Sequence, residues 1–210
     1  SVPEGVKLHE LEGLNLYETQ ALSSLKNPFR IFDPINFYEV VATHIGMFPE
    51  IFTFSMRAYF KLRELMSSEK FDVIHDNQTL GYGLLLMKSL GVPVVATIHH
   101  PITVDLAASL SQSDTFRRGI RWTMFYSFLN MQGIVSRRMA KIITVSHSSA
   151  EDSARAFKLH KDKVRVVYDG IDTEIFSKPD GLAKQPNSLV IVGKVEDKTK
   201  GIPFLLEAVK

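Results

Sequence analysis

Three lysines near the C-terminal end of the chain lie in a short loop that is bounded by glycines. Lys194, Lys198 and Lys200 fall between Gly193 and Gly201. The ammonium groups of such lysines neutralise an anion, and a helix after the loop would add free N–H groups and the positive end of its dipole. The pattern favours phosphate binding. A charged surface loop that contacts only solvent is the alternative that charge alone leaves open.

The elements that must position this loop are a strand before it and a helix after it. Residues 189–192 form a short apolar run rich in β-branched side chains, as in a buried parallel strand. Pro203 suits the first turn of a helix, which would continue through Phe204 and Leu205. We therefore predict a strand, a phosphate-binding loop and a helix in succession.

The composition is that of a globular protein without a broad charge field. The chain has 210 residues, of which 45% are hydrophobic, enough for one large domain or two small ones. With a net charge of only +2, the protein has no broad basic surface of the kind that nucleic-acid-binding proteins use, so we expect no nucleic-acid partner. There is no Cys, no secretory signal pattern and no apolar run of membrane-spanning length. We expect a cytoplasmic protein without disulfides or cysteine-ligated zinc.

Strand and helix patterns alternate along the chain from residue 71 onward. Short apolar runs predict strands at residues 71–75, 94–98, 141–145 and 164–167. Helical patterns separate them at residues 80–90, over a long stretch before residue 141, and from Ser148 to about residue 159, where Ser148 and Glu151 have capping-box spacing. This alternation predicts parallel βαβ units in a doubly wound α/β sheet.

The chain divides at a segment that is poor in strand and helix patterns. Residues 178–187 contain two prolines and a glycine and predict a linker. We expect a first Rossmann-like domain at residues 1–177 and the beginning of a second at residues 188–210. A doubly wound domain usually opens on a strand, whereas the first strand predicted here begins at residue 71. The chain also ends within a helical pattern. We therefore expect a fragment that lacks the opening unit of its first domain and most of its second.

Four segments of the sequence resemble, in order, successive segments of the retaining nucleotide-sugar glycosyltransferases of the GT-B group, glycosyltransferase family four. The segments lie at residues 71–101, 140–152, 163–176 and 189–209. The resemblance implies a GT-B fold of two Rossmann-like domains. It also implies sugar transfer from a nucleotide-sugar to an acceptor with retention of configuration, without a cofactor or bound metal. The sequence has no Asp-x-Asp triplet, the usual mark of metal-dependent transferases.

The resemblance implies that the lysine loop holds the donor diphosphate. The family's "GR" and "KG" pairs fall on Gly193-Lys194 and Lys200-Gly201. Where Lys194 stands the family commonly has Arg, which grips phosphate at two points, whereas Lys offers one flexible charge. Lys194, Lys200 and the following helix N-terminus would then stabilise the departing diphosphate.

The resemblance also implies histidines at the ends of two strands. The "T-x-H" motif falls on Thr97 and His99, and family members use this histidine at the sugar or acceptor end of the cleft. His100 follows directly, so the assignment could shift by one residue. His75 matches the histidine that closes the family's "DVVH" strand, and Asn77 replaces a frequent second histidine. Strand carboxyl ends are where ligands bind in open α/β sheets.

Ser146, Asp169 and Gly170 complete the candidate site residues. Ser146 ends the strand of the "VS" motif, where a helix N-cap is the simpler role. The family's "NG" pair is Asp169-Gly170 here, and a carboxylate beside a diphosphate adds like charge. Either Asp169 points away from the donor, or this chain binds the donor differently.

The helical stretch at residues 115–141 mixes basic and aromatic side chains. They are Arg117, Arg118, Arg121, Arg137, Arg138 and Lys141 with Phe116, Trp122, Phe125, Tyr126 and Phe128. Such a mixture can dock on an anionic membrane surface, as lipid-using members of the family do. A core helix with a solvated basic face is the alternative that an aromatic stripe favours.

These observations favour a glycosyltransferase, inactive as this fragment, whose acceptor is a glycan, a lipid or a small molecule. Two alternatives remain open. A GT-B epimerase or phosphorylase would keep the fold and change the reaction, and a non-catalytic nucleotide-binding module would keep only the phosphate site.

Overall fold

The computed structural model describes residues 3–14, 16, 28–111, 113–177, 181, 183, 185–192 and 201–209. The chain forms two compact units, Ser1–Asp169 and Gly170–Lys210. The predicted domain and linker boundaries stay predictions, because several residues of the 178–187 segment lie outside the described part.

A four-stranded parallel sheet forms the centre of the first unit. Its strands lie side by side in chain order: β1 (Ile74–Asn77), β2 (Val94–Ile98), β3 (Lys141–Thr144) and β4 (Val164–Val166). Parallel neighbours need a crossover, and each connection here contains at least one α-helix. The carboxyl ends of the strands therefore meet at one side of the sheet, which we call the carboxyl edge.

Seven α-helices of the first unit surround this sheet in the described residues. They are α1 (Pro34–His44), α2 (Glu50–Leu65), α3 (Gly83–Lys88), α4 (Thr103–Ser111), α5 (Phe116–Phe125), α6 (Phe128–Ser136) and α7 (His147–Phe157). A parallel sheet with flanking helices confirms the predicted α/β fold class and is consistent with a Rossmann-like domain of the GT-B type.

The strand β1 begins and ends later than the predicted 71–75. Its ladder with β2 starts where Ile74 lies opposite Val94, and the Ile74 N–H donates to the Pro93 carbonyl oxygen at 2.9 Å. Residues 71–73 have no partner in this ladder, although their side chains suit a strand. The bounds of β2 are as predicted, and β3 and β4 each end one residue earlier than predicted.

Two helix starts also differ from the sequence prediction. The helix expected at 80–90 is limited to α3, because Leu80 adopts φ 50°, which is incompatible with a helix. The cap of α7 is Ser146, whose hydroxyl oxygen accepts the Ser149 N–H at 3.0 Å. The predicted capping-box start at Ser148 is therefore wrong, and the simpler N-cap role of Ser146 is confirmed.

One face of the sheet packs into the core, and the opposite face carries polar side chains. The core face presents Ile74, Val94, Ala96, Ile98, Ile142 and Val164 to side chains from α2, α3, α6 and α7. Since side chains alternate along a strand, His75, Asn77 and Thr97 belong to the opposite face. The register of β1 thus places His75 outside the core.

Two glycines bring α3 unusually close to α2. A Cβ atom on Gly83 would overlap the carbonyl group of Ser55 and lie 2.9 Å from the Met56 nitrogen. A Cβ atom on Gly81 would overlap the Ser55 side chain, and the Gly83 N–H donates to Ser55 Oγ at 3.2 Å. The close packing of α2 and α3 therefore requires glycine, which has no Cβ atom, at both positions.

The second unit contains one α-helix in its described residues, α8 (Ile202–Ala208). It begins after Gly201, which adopts φ 67°, and Pro203 lies in its first turn as predicted. The strand predicted at residues 189–192 is not formed, and all four side chains are at least 45% exposed. A strand needs a ladder partner, and the described residues of this unit offer no second strand.

Candidate functional site

Several of the candidate residues lie at the carboxyl edge of the sheet. Three chain segments meet there: the loop after β1, the residues after β2 and the first turn of α7. Hydrogen bonds between side chains and backbone connect all three segments. This edge is where open α/β sheets bind their ligands.

His99 follows β2 and is held on several sides. Its Nε2 atom lies 2.8 Å from Asn77 Oδ1. A carboxamide oxygen only accepts hydrogen bonds, so Nε2 is the donor of this pair. The His99 carbonyl oxygen accepts the Ser149 hydroxyl at 2.6 Å. In the neutral ring, Nδ1 is then left as the hydrogen-bond acceptor.

Gln78 connects the loop after β1 to the residues after β2. Its Oε1 accepts the His99 N–H at 2.7 Å, and its Nε2 donates to the His100 carbonyl oxygen at 3.2 Å. Gln132 of α6, which is only 1% exposed, donates to the carbonyl oxygens of Gln78 and Thr79 at 3.3 and 3.2 Å. The side-chain amides of Gln132 and Gln78 thus hold the backbone of this edge in place.

The backbone of the same loop is strained. Gln78 and Leu80 have φ values of 64° and 50°, a left-handed conformation that side chains other than Gly rarely adopt. The buried Asp76 carboxylate accepts the Leu80 N–H at 2.9 Å. Such strain persists only where surrounding contacts over-determine it, and it concentrates at functional sites. The loop is therefore a preorganised part of the candidate site.

Burial raises the pKa of the Asp76 carboxyl above its usual range, although hydrogen bonds from Leu80 and Thr79 and the nearby His75 oppose the rise. The folded state therefore binds this proton more tightly than the unfolded state does. The contribution of Asp76 to the free energy of unfolding is greatest below about pH 4, the unfolded pKa, and is lost as the pH rises through the folded pKa.

We expect Asp76→Asn to remove this pH dependence, because the amide oxygen still accepts from Leu80 and nothing ionises. The measurement is the urea midpoint of the wild type and the variant from pH 4 to pH 8. The wild type should lose stability relative to the variant as the pH rises. Parallel curves over this range would contradict the assignment of a raised pKa.

The other predicted histidines have different partners. His75 Nε2 lies 2.7 Å from the Thr97 hydroxyl oxygen, on the sheet face opposite the core. His100 Nε2 lies 3.5 Å from Asp105 Oδ2 at the beginning of α4. His75, Thr97 and His99 are therefore brought together at the sheet, whereas the His100 side chain contacts a different element.

The remaining candidates are distributed over the two units. Asp169 and Gly170 are exposed at the end of the first unit and the beginning of the second. Gly201 is the left-handed N-cap of α8. Gly193, Lys194 and Lys200 lie outside the described residues, so the diphosphate site stays a prediction.

A small cavity adjoins this edge. Its volume is about 310 Å³, and its lining includes Phe48, Phe54, Glu50, Asn77, Gln78 and Thr79. The size is at the lower end of small-molecule pockets, which start at about 300 Å³. Aromatic rings beside polar groups suit a ligand with one apolar face and several hydroxyl groups. A sugar ring has this chemistry.

Sequence reasoning missed several residues that build the edge. Gln78, Gln132 and Ser149 act through hydrogen bonds that join distant parts of the chain, and Asp76 acts through burial. The available signal was the polar run Asp76-Asn77-Gln78, which follows the strand predicted at residues 71–75. Buried Gln132 carries no comparable signal, since Asn130 and Ser136 are further polar residues of the same helix.

The basic and aromatic stretch at residues 115–141 splits into two different helices. In α6 the side chains of Phe128, Met131 and Val135 are buried, as the core alternative predicted. In α5 the Phe116 side chain is 84% exposed beside exposed arginines. None of the described helices combines the length and apolar character needed to cross a bilayer. Nor does the described part of the chain bring three His, Asp or Glu side chains together as a metal site.

The comparisons with known proteins agree on one family. The family model described as Glycosyltransferase Family 4 matches residues 22–175. A curated relative from Mycolicibacterium hassiacum, described as an MMP alpha-(1->4)-mannosyltransferase, is 35% identical over 213 residues, covering 99% of this chain and 50% of the relative. The chain thus spans about half the length of the curated relative that it matches.

Proposed function

Because the chain belongs to glycosyltransferase family 4, we propose that the whole protein transfers a sugar from a nucleotide-sugar donor to an acceptor with retention of anomeric configuration. The observation that carries the proposal is the hydrogen bond between His99 and Asn77, a residue that lines the small cavity at the carboxyl edge. The name of the curated relative supports mannose as the sugar.

The first unit would bind the substrate hydroxyl groups. With its Nε2 proton held by Asn77, His99 offers Nδ1 as an acceptor for a hydroxyl group of the sugar or the acceptor. Such a hydrogen bond contributes to catalysis when it is stronger in the transition state than in the ground state. Thr97 and His75, which contact each other, would line the adjoining sheet face.

The second unit would bind the donor diphosphate. Lys194 and Lys200 would supply positive charge as the diphosphate leaves, and backbone at Gly193 and Gly201 would allow close approach. We propose that no metal takes part, since the family resemblance implies a metal-independent reaction and the sequence has no Asp-x-Asp triplet. The acceptor class stays open between a glycan, a lipid and a small molecule.

Membrane contact, if the acceptor is a lipid, would involve α5 alone. Its exposed Phe116 and Ile120 lie on a helix with three arginines, which is the composition of an interfacial helix. The buried side chains of α6 do not take part.

The experiment that tests the function is a product assay with the whole protein. GDP-mannose, UDP-glucose and UDP-galactose are supplied with candidate acceptors, with and without EDTA, and products are identified by mass spectrometry and NMR. Retention predicts an α-linked product from an α-linked donor. Free sugar phosphate would indicate a phosphorylase, an altered nucleotide sugar an epimerase, and nucleotide binding without turnover a non-catalytic module.

Charge reversal tests the diphosphate site. We expect Lys200→Glu in the whole protein to weaken donor binding at least about tenfold, because a charge-assisted hydrogen bond is lost and repulsion is added. Calorimetric titration with the nucleotide sugar measures this. Lys198→Glu is the matched control, since Lys198 lies in the same loop and outside the family motif. Equal donor affinity in the wild type and Lys200→Glu would contradict the assignment.

A further inference from the structure

A second cavity of the first unit lies between the end of α1 and α5. We call it the α1–α5 cavity. Its volume is about 400 Å³, and its lining includes Thr43, Arg118, Arg121, Trp122, Met124 and Phe125. This volume is within the range of small-molecule pockets, which begin at about 300 Å³. None of the side chains proposed above to bind the donor or the transferred sugar lines this cavity.

One wall of the α1–α5 cavity is aromatic and well supported. The Trp122 and Phe125 rings pack edge to face with centroids 6.0 Å apart, and Tyr126 contacts both rings. Phe125 also contacts Phe48 at 5.4 Å. Rings that are braced by their neighbours offer a fixed surface for the apolar part of a ligand.

The polar side of the α1–α5 cavity is cationic. Arg118 pairs with Asp114, whose carboxylate lies 2.6 Å from its guanidinium. Arg121 makes no hydrogen bond or ion pair with any residue in the described part of the chain. An unpaired guanidinium at the rim of an apolar cavity matches a phosphate or carboxylate, which it can grip at two points.

An unsatisfied hydroxyl group provides an independent observation. Thr43 Oγ1 is buried and has no hydrogen-bond partner among the residues that the structure describes, and Thr43 lines the same cavity. Buried polar groups are nearly always hydrogen-bonded, because an unpaired one costs free energy. The protein covers this oxygen in the present conformation, so a ligand would reach it only after the Thr43 side chain turns toward the cavity.

We propose that the α1–α5 cavity binds a small amphipathic anion. Its phosphate or carboxylate group binds Arg121 and Arg118, and its apolar body lies against Trp122 and Phe125. Since Phe48 lines the cavity at the carboxyl edge, the two cavities are neighbours through the Phe48–Phe125 contact. The site is defined by binding alone, so its test does not depend on sugar transfer.

Trp122 provides a direct readout, because it lines the cavity and is the single Trp of this chain. Decyl phosphate and decanoate below their micellar concentrations should change its fluorescence saturably. Inorganic phosphate should bind more weakly for lack of an apolar body, and decyl maltoside for lack of charge. Vesicles of phosphatidylcholine with and without phosphatidic acid show whether a lipid headgroup is also bound.

The decisive variant is Arg121→Gln, which should weaken decyl phosphate binding about tenfold. Arg117→Gln is the matched control, because Arg117 is exposed on the same helix and does not line the cavity; its affinity should equal that of the wild type. Calorimetry provides a second measurement, and circular dichroism verifies folding. Equal affinity for decyl maltoside and decyl phosphate, unchanged binding by Arg121→Gln, or no binding of either anion would overturn the proposal.

Discussion

Alanine at Gly83 is expected to lower the free energy of unfolding by about 3 kcal/mol, since overpacking against rigid surroundings has costs of this order. The added Cβ would overlap the Ser55 carbonyl group in the backbone of α2. Relief requires α3 to move away, and α3 contributes Leu84 and Met87 to the core. Urea unfolding followed by circular dichroism measures the effect.

Gly119→Ala is the control for this prediction. Gly119 lies within α5, and a Cβ there would meet no heavy atom within 4 Å. Helix propensity then favours alanine, so the variant should be as stable as the wild type or more stable by up to about 1 kcal/mol. If Gly83→Ala unfolds at the wild-type urea concentration, the close contact of α2 and α3 is wrong.

Loss of the His99 imidazole from the whole protein is expected to lower kcat/KM for sugar transfer about 100-fold, the magnitude that a lost transition-state hydrogen bond has in other enzymes. Steady-state kinetics with the donor and acceptor identified by the product assay provide the measurement. His100→Ala is the matched control, because the His100 side chain contacts Asp105 rather than Asn77. A larger loss in His100→Ala would shift the assignment by one residue.

Asn77 is expected to act on this reaction through His99. Asn77→Ala should lower kcat/KM about tenfold, because the imidazole loses the acceptor that orients it. Nitrogen-15 NMR of the histidine rings would show the Nε2-protonated tautomer of His99 in the wild type and a mixture in Asn77→Ala. Asn77→Asp keeps an acceptor oxygen and should keep the tautomer. An unchanged tautomer in Asn77→Ala would exclude this positioning role.

Much of the fold could be predicted because its information is local. The apolar runs at residues 94–98, 141–145 and 164–167 became strands with nearly the predicted bounds, since hydrophobic alternation and short length distinguish buried strands. The helix after Gly201 also formed as its Pro and apolar pattern indicated. The position of His99 directly after β2 was also predicted, because the bounds of that strand could be read from its apolar run.

The errors occurred where a distant partner decides the outcome. Residues 189–192 have the composition of a strand and are exposed, because a strand exists only with a ladder partner. β1 is displaced from residues 71–75 because pairing with β2 starts at Ile74. The error at the start of α7 was local: Ser148 has capping-box spacing, but Ser146 provides the cap because its backbone is extended at the end of the strand.

The amino-acid order was sufficient for the α/β class, the succession of strands and helices, and a histidine at the carboxyl edge, because these depend on neighbours within a few residues. The tautomer of His99, the strained loop at Gln78 and the close approach of Gly83 to Ser55 required the folded chain. The hydrogen bonds involved join residues that are at least 21 positions apart in sequence: His99 to Asn77, His99 to Gln78, and Gly83 to Ser55. Long-range hydrogen bonds and backbone contacts leave no periodic trace in a sequence.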